Sequence, residues 1–135
     1  MRDYRESYLG SPDRTQQWNK CRRAFADARD RCRAKGVRLA VVIFPMLVQL
    51  GPEYPFRDVH EAVAAACGEL GIPVLDLLPA FEGKDGPSLW IAPDNGHPNL
   101  EGHAIAAAAI GRFIAEKQLA VPDSAKAAAI NGGER

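Results

Sequence analysis

The chain contains 135 residues, which is the size of one domain. Apolar residues make up 47% of the chain and charged residues 25%, a globular composition that argues against a disordered or fibrous protein. Lys plus Arg and Asp plus Glu each total 17, so the net charge is zero with neutral His. The charge therefore gives no reason to expect nucleic acid or an anionic membrane as a partner.

No segment of the sequence predicts a membrane span or a secretory signal. The longest apolar run, from Leu39 to Val48, has ten residues, whereas a membrane-spanning helix needs about 20. Residues 1–8 are charged throughout and lack the apolar core of a signal peptide. We therefore expect a cytosolic chain, and the signal peptide of any longer, exported form would lie upstream.

The first half of the chain alternates between helical and strand patterns. Residues 12–35 carry apolar side chains at helical spacing and predict an amphipathic helix that ends at Gly36. Residues 37–44 are β-branched and nearly all apolar, and Pro45 ends them, which predicts a strand buried on both faces. Residues 55–70 predict a second helix, closed by Gly71, and residues 72–78 a second strand. This order is typical of right-handed crossovers over a parallel sheet.

The rest of the chain predicts a long loop, one more helix and a tail. Residues 82–99 are rich in Gly, Pro, Asp and Asn and predict a loop of the length that tends to carry function. Residues 100–117 predict the last helix, with an apolar stripe and small alanines. The structured domain is therefore expected to span residues 1–120, followed by a flexible tail, residues 121–135.

Only two strands are predicted with confidence from the pattern, which is few for an α/β sheet. Because both strands are apolar on both faces, at least one of them needs a neighbour that these residues do not supply. The sheet is therefore expected to have an open edge, which a second copy of the chain or a longer chain would cover.

The remaining His and Cys residues have mostly structural interpretations. His60 on the second helix is expected to be a solvated surface residue. The three cysteines, with no C-x-x-C spacing, are expected to be buried as small apolar side chains: Cys21, Cys32 and Cys67. Asp76, near the carboxyl end of the second strand, could belong to a site, but binding of nearby loop N–H groups is the favoured interpretation.

The most suggestive chemistry lies in the loop before the last helix. Asp94 and His97 are three residues apart in a turn-forming context, so the carboxylate could contact one ring nitrogen and leave the other to act as a general base. The same spacing also fits an Asx turn followed by an exposed His, with Asn99 as the helix cap. A third interpretation, a metal site of Asp94, His97 and His103, is weaker still.

The wider context of this segment resembles the C-terminal half of the SGNH/GDSL hydrolase family. In that family a D-x-x-H block, often followed by Pro-Asn and Gly-His, precedes the final helix. The resemblance extends back through four shorter segments and covers roughly residues 16–116. The matching segments are Asp94-Asn-Gly-His-Pro-Asn-Leu-Glu-Gly-His103, Val41-Val-Ile-Phe-Pro45, Tyr54-Pro-Phe56, Gly71–Pro79 and Leu89-Trp90.

The resemblance implies part of a three-layer α/β/α, flavodoxin-like fold with parallel strands, whose N-terminal strands are missing from this chain. It implies hydrolysis of a small-molecule or lipid-like ester, with His97 as general base and acid, Asp94 as its orienting partner, and neither a cofactor nor a metal. The family's Gly-Asp-Ser nucleophile block and its oxyanion Gly and Asn are absent here. We therefore expect a fragment with little activity alone.

No local serine is a strong replacement for the missing nucleophile. Ser11 precedes a helix and does not end a strand, Ser88 leads into a packed aromatic residue, and Ser7 and Ser124 lie in terminal segments. Cys67 lies on an apolar helix stripe, where a thiol is inert. The alternative function is a non-catalytic α/β module that pairs through its open sheet edge, for example with a second copy of itself.

Overall fold

The computed structural model describes the backbone of residues 12–120 and the side chains of residues 16–120, so the predicted tail lies outside the described residues. Mixed α/β structure fills this part of the chain, in agreement with the predicted class. Its elements are α1 (Pro12–Ala34), β1 (Val41–Ile43), α2 (Arg57–Glu69), β2 (Val74–Asp76), α3 (Leu78–Phe81), β3 (Trp90–Ala92), β4 (Asn95–Pro98) and α4 (Leu100–Glu116).

Glycines end the first two long helices where the sequence predicts. Gly36 and Gly71 have φ values of 65° and 66°, a left-handed conformation that residues with a Cβ rarely adopt. In each case the next residue returns its N–H to the last helical turn: Val37 donates to the Cys32 carbonyl at 2.8 Å and Ile72 to the Cys67 carbonyl at 2.9 Å. These bonds satisfy carbonyl groups that would otherwise lack partners and direct the chain into each strand.

The two predicted strands pair in parallel, as expected for an α/β crossover. Val41 is opposite Val74 and Ile43 is opposite Asp76. The ladder is flanked by a bond from the Val41 N–H to the Pro73 carbonyl at 2.9 Å and one from the Leu77 N–H to the Ile43 carbonyl at 3.0 Å. Each strand is three residues long, shorter than predicted, because pairing with a single neighbour is confined to the residues that overlap.

The prediction that β1 is buried on both faces is wrong for this chain. Val42 is 39% exposed, and Phe44 and Met46, which follow on the same alternation, are 38% and 50% exposed. Leu75, beside Val42, shares a surface pocket with Ala109 and Phe113 of α4, but no described element covers Val42 itself. Within the described residues β1 also has no strand on its other side, so the predicted open edge is confirmed for this part of the chain.

The predicted loop of residues 82–99 contains structure that its composition concealed. A short 3₁₀ turn, Pro87–Leu89, leads into an antiparallel hairpin of β3 and β4. Ala92 pairs with Asn95 across the turn residues Pro93 and Asp94, and one extra residue in β4 forms a bulge. Gly, Pro and Asn are poor strand residues, so pattern reasoning misses a hairpin that is held by its neighbours instead.

The core forms where the short helix α3 meets α4 and the loops. The largest fully buried side chains come from α3, the residue before it, the 3₁₀ turn and α2, and they are Phe81, Leu77, Leu78, Leu89 and Cys67. No helix within the described residues is long and apolar enough to cross a membrane.

The burial expected of the three cysteines holds for only one of them. Cys67 is fully buried, Cys32 is partly buried, and Cys21 is exposed on α1. The reason is that α1 has no fully buried residue among its described side chains. It meets the end of α2 through an Arg22–Glu69 ion pair and a bond from Arg29 to the Leu70 carbonyl at 3.4 Å. The apolar stripe of α1 is therefore only partly covered.

The contrast between two phenylalanines predicts different costs of truncation. Phe81 is fully buried, whereas Phe44, whose ring centre lies 5.3 Å away, is 38% exposed. We expect Phe81→Ala to lower the free energy of unfolding by about 3–5 kcal/mol, because it leaves a cavity. Phe44→Ala should cost less than about 2 kcal/mol. Urea unfolding followed by circular dichroism measures both, and equal losses would contradict this assignment of the core.

The cysteines predict an ordered pattern of chemical modification. Burial raises the pKa of the Cys67 thiol above its usual value, with a smaller contribution from Cys21, so little reactive thiolate forms. A thiol reagent at pH 8 should modify exposed Cys21 quickly and Cys67 only after unfolding. Time-resolved mass mapping, with urea-unfolded chain as the control, tests this order. Modification of Cys67 at the rate of Cys21 would show that the core is open.

Candidate functional site

A sharp loop after β1 forms one side of the candidate site. We call residues 46–48 the 46–48 loop. The Val48 N–H donates to the Met46 carbonyl at 2.7 Å, and the Trp90 indole N–H donates to the Leu47 carbonyl at 2.7 Å. A Cβ added at Gly86 would overlap that same Leu47 oxygen, so glycine is required there. Trp90 is thus held against the 46–48 loop.

His97 lies on the hairpin, on the other side of the site. It is exposed, and its ring Nδ1 lies 2.5 Å from the Asn95 Oδ1, which also accepts the His97 backbone N–H at 3.2 Å. The two side chains meet within the bulged part of β4, with only Gly96 between them. A carbonyl oxygen can only accept, so the contact places the ring proton on Nδ1.

The predicted contact between Asp94 and His97 is not formed. Asp94 lies in the turn that precedes β4, and within the described residues no hydrogen bond joins it to His97. Asp94 therefore lies outside the strand, and Asn95, the first residue of β4, takes the position that was expected of Asp94. Sequence reasoning missed Asn95, because Gly, Pro and Asn in this segment gave no strand pattern from which the contact could be predicted.

The 46–48 loop and the hairpin enclose an open pocket of about 390 Å³. Its other walls are Trp90 and residues 94–97, so Asp94, Asn95 and His97 all border the same space. The His97 Nε2 makes no hydrogen bond within the described residues. A neutral ring with its proton on Nδ1 leaves a lone pair on Nε2, and such a nitrogen can take a proton from a group that enters the pocket.

The helix that follows the hairpin begins as the sequence predicts. The Asn99 side chain accepts the Gly102 N–H at 3.0 Å, which confirms it as the cap of α4, and its amide donates to the Ser88 carbonyl at 2.9 Å. His103 is exposed on the first turns of α4. Among the described residues, no three His, Cys, Asp or Glu side chains are grouped so that they could hold a metal ion.

Ser88 is the one serine within the described residues, and its hydroxyl already has a partner. Its Oγ donates to the Asp85 carbonyl at 2.7 Å, and no hydrogen bond joins it to His97. Ser7, Ser11 and Ser124 lie outside the described residues. Within the described residues, no serine hydroxyl is therefore bonded to the His97 ring.

A second polar cluster lies beneath the 46–48 loop and includes His60, for which the surface prediction is wrong. His60 is 5% exposed, and its Nδ1 lies 2.8 Å from the Asp76 Oδ1. Its Nε2 lies 3.3 Å from the Tyr54 hydroxyl, which accepts the Met46 N–H at 2.9 Å. His60 precedes buried Cys67 by seven residues, two helical turns, and this spacing was the available signal.

Of the two roles considered for Asp76, a site residue or an acceptor of nearby loop N–H groups, the structure shows the second. Its Oδ1 accepts the Leu78 N–H at 2.8 Å, as predicted for a carboxylate that binds loop N–H groups, and it also accepts from His60. Because it is paired below the 46–48 loop, Asp76 does not border the pocket that holds His97.

Comparisons of this chain with family models, curated proteins and solved structures found no match.

The Asn95 contact predicts which residue controls the ring of His97. We expect Asn95→Ala to remove the preference for the Nδ1–H form, because no other described acceptor contacts that nitrogen. Asp94→Ala should leave the ratio of tautomers unchanged. Nitrogen chemical shifts of the ring in ¹⁵N-labelled protein measure this ratio above the titration range of His. The reverse pattern would show that Asp94, as first expected, orients the ring.

Proposed function

We propose that this chain carries the acid–base half of a serine acyl-hydrolase site of the SGNH/GDSL type. His97 would act as the general base, then as the general acid. The substrate class is a carboxylic ester that is small or lipid-like. The observation that carries the proposal is His97 itself: a ring with its proton held on Nδ1 and its Nε2 unbonded, at the rim of a pocket.

In the proposed reaction the Nε2 of His97 takes the proton of a serine hydroxyl as its oxygen attacks the ester carbonyl. The proton then passes to the departing alcohol, and water repeats the cycle to release the acid. An Asn oxygen on Nδ1 can orient the ring, as in sites of the Cys-His-Asn kind, but it stabilises the imidazolium less than a carboxylate does. Asp94 borders the same pocket and supplies negative charge nearby.

The missing nucleophile is proposed to come from a strand that pairs with the open edge of β1. In a parallel ladder the N–H and C=O of Val41 and Ile43 face β2, so those of Val42 face the open edge. In parallel sheets, site residues follow the carboxyl ends of the strands. The 46–48 loop follows the carboxyl end of β1, so a loop after an added parallel strand would arrive beside it.

The fold proposed for the complete protein is a three-layer α/β/α sheet. Neighbouring residues of a strand point to opposite faces, so Leu75 and Asp76 lie on opposite sides of β2, and Asp76 bonds to His60 of α2. A pocket lined by both residues also includes Ala109 and Phe113 of α4. A parallel pair with α2 on one face and α4 beside it supports that layering. The finer assignment, to the SGNH arrangement with its N-terminal strands supplied upstream, belongs to the proposal.

The alternative is a non-catalytic module that pairs with a second copy through β1. The exposure of Val42, Phe44 and Met46 near the open edge favours pairing of some kind. On this alternative, sedimentation of the purified chain gives a folded dimer and the protein has no hydrolase activity.

The direct test is labelling with a fluorophosphonate, which reacts with activated serines. We expect no adduct on the purified 135-residue chain. In the source cells, protein captured with an antibody to this chain should be heavier than the chain and carry one adduct on an upstream serine. A chromosomal His97→Ala substitution should slow labelling on the order of 10⁴-fold or more, and His103→Ala, the matched control, should leave it unchanged.

Two outcomes would contradict the proposal in different ways. An adduct on the purified chain that disappears in His97→Ala would locate the nucleophile within these residues and overturn the role of the upstream strand. A native protein with the mass of this chain and no adduct would overturn the hydrolase assignment and leave the pairing module.

A further inference from the structure

The structure assigns a positioning role to the cluster of Tyr54, His60 and Asp76, in which the tyrosine and the histidine are buried and the carboxylate is partly exposed. We propose that this cluster fixes the 46–48 loop, the wall that faces His97, and so sets the shape of the pocket. The inference rests on the proposed function only in taking that pocket as the reaction site. The three residues themselves lie outside it.

The hydrogen bonds of the cluster run in one direction. Asp76 Oδ1 accepts from the Leu78 N–H, which marks it as an acceptor, so His60 donates to it through Nδ1–H. The His60 Nε2 is then an acceptor, and it accepts a hydrogen bond from the Tyr54 hydroxyl. The Tyr54 oxygen is left to accept the Met46 N–H. Each of the four hydrogen bonds that lead from Leu78 to the Met46 N–H therefore has one donor and one acceptor.

Burial makes these roles hard to exchange. Tyr54 is 4% exposed and His60 is 5% exposed, so water cannot readily replace a lost partner. Burial also raises the pKa of the Tyr54 hydroxyl, which keeps its proton available to His60. If Tyr54 or His60 gave up its role as acceptor, a buried polar group would be left unpaired, so the position of the Met46 N–H is tied to Asp76 through these two side chains.

The 46–48 loop is connected to the far side of the pocket through Trp90. Leu47, next to Met46, is buried, and its carbonyl accepts the Trp90 indole N–H at 2.7 Å. The Trp90 ring lies against Gly96, with 3.7 Å between its atoms and a Cβ placed there. Gly96 is the neighbour of His97 in β4. A shift of the 46–48 loop would therefore reach the hairpin through the indole ring.

The test follows the indole N–H of Trp90 by NMR in the full chain, which requires no activity. In Tyr54→Phe we expect this resonance to move and its exchange with solvent to rise about tenfold, the change that corresponds to one hydrogen bond. Trp18 on α1 gives a second indole signal in the same spectrum and should not change. Failure of the hydrolase proposal would leave this result untouched.

Two further variants separate positioning from general stability. Asp76→Asn keeps an oxygen that can accept both N–H groups, so it should preserve the Trp90 signal, whereas Asp76→Ala should not. Phe56→Leu alters a ring that packs edge-on against Tyr54, with centres 5.9 Å apart, but removes no hydrogen bond. It should lower stability and leave the Trp90 signal in place.

The double variant Tyr54→Phe with His60→Phe covers the case in which Tyr54→Phe does not fold. It also removes the His60 Nε2 that Tyr54→Phe alone leaves without a partner, and water can replace His60 at Asp76, which is partly exposed. We expect it to fold and to show the moved Trp90 signal. A folded Tyr54→Phe or double variant with an unchanged Trp90 signal would overturn the proposal. So would the failure of both to fold, because the cluster would then support the whole core.

Discussion

The carboxylate of Asp76 is the point on which the arrangement of the described residues depends. It is the last residue of β2, and it accepts one N–H from His60 of α2 and one from Leu78 at the start of α3. The first bond fixes where α2 lies on the sheet, and the second fixes where the strand stops and α3 begins. Since α3 carries Phe81 and Leu78 into the core, one charged group at the surface of the sheet organises the apolar packing around it.

Local signals in the sequence were sufficient wherever a structure depends on adjacent residues. The ends of the first two long helices follow from Gly36 and Gly71, and the start of α4 follows from Asn99, because each needs only a backbone conformation or a side chain that bonds within one turn. Parallel pairing followed from the alternation of helix and strand. The spacing to Cys67 pointed to the burial of His60, but its hydrogen bonds could not be predicted, because the partners lie 6 and 16 residues away along the chain.

The candidate site was predicted in its place but not in its contacts. The D-x-x-H spacing identified the segment that borders the pocket. In the hairpin, however, the ring of His97 bonds to Asn95 and not to Asp94. Spacing alone does not determine the backbone conformation, and a strand and a turn bring different residues together. The burial of β1 failed for a related reason. The apolar composition of β1 indicates that both of its faces should be covered. Val42 is exposed because no described element lies over it, so the described residues do not provide that cover.

In the proposed hydrolase, one added strand would account for both the open edge of β1 and the open pocket. A general base works best where water is excluded, whereas His97 is exposed, and the apolar side chains between it and the edge, Phe44 and Met46, are exposed as well. A parallel strand beside Val42 would carry its following loop over these residues. A second copy related by a two-fold axis would instead pair β1 with its own antiparallel image, and the partner's 46–48 loop would then lie at the opposite end of the sheet. Such a dimer pairs the free backbone groups of β1 but leaves the pocket open. The direction of the strand that pairs with β1 therefore distinguishes the hydrolase from the pairing module.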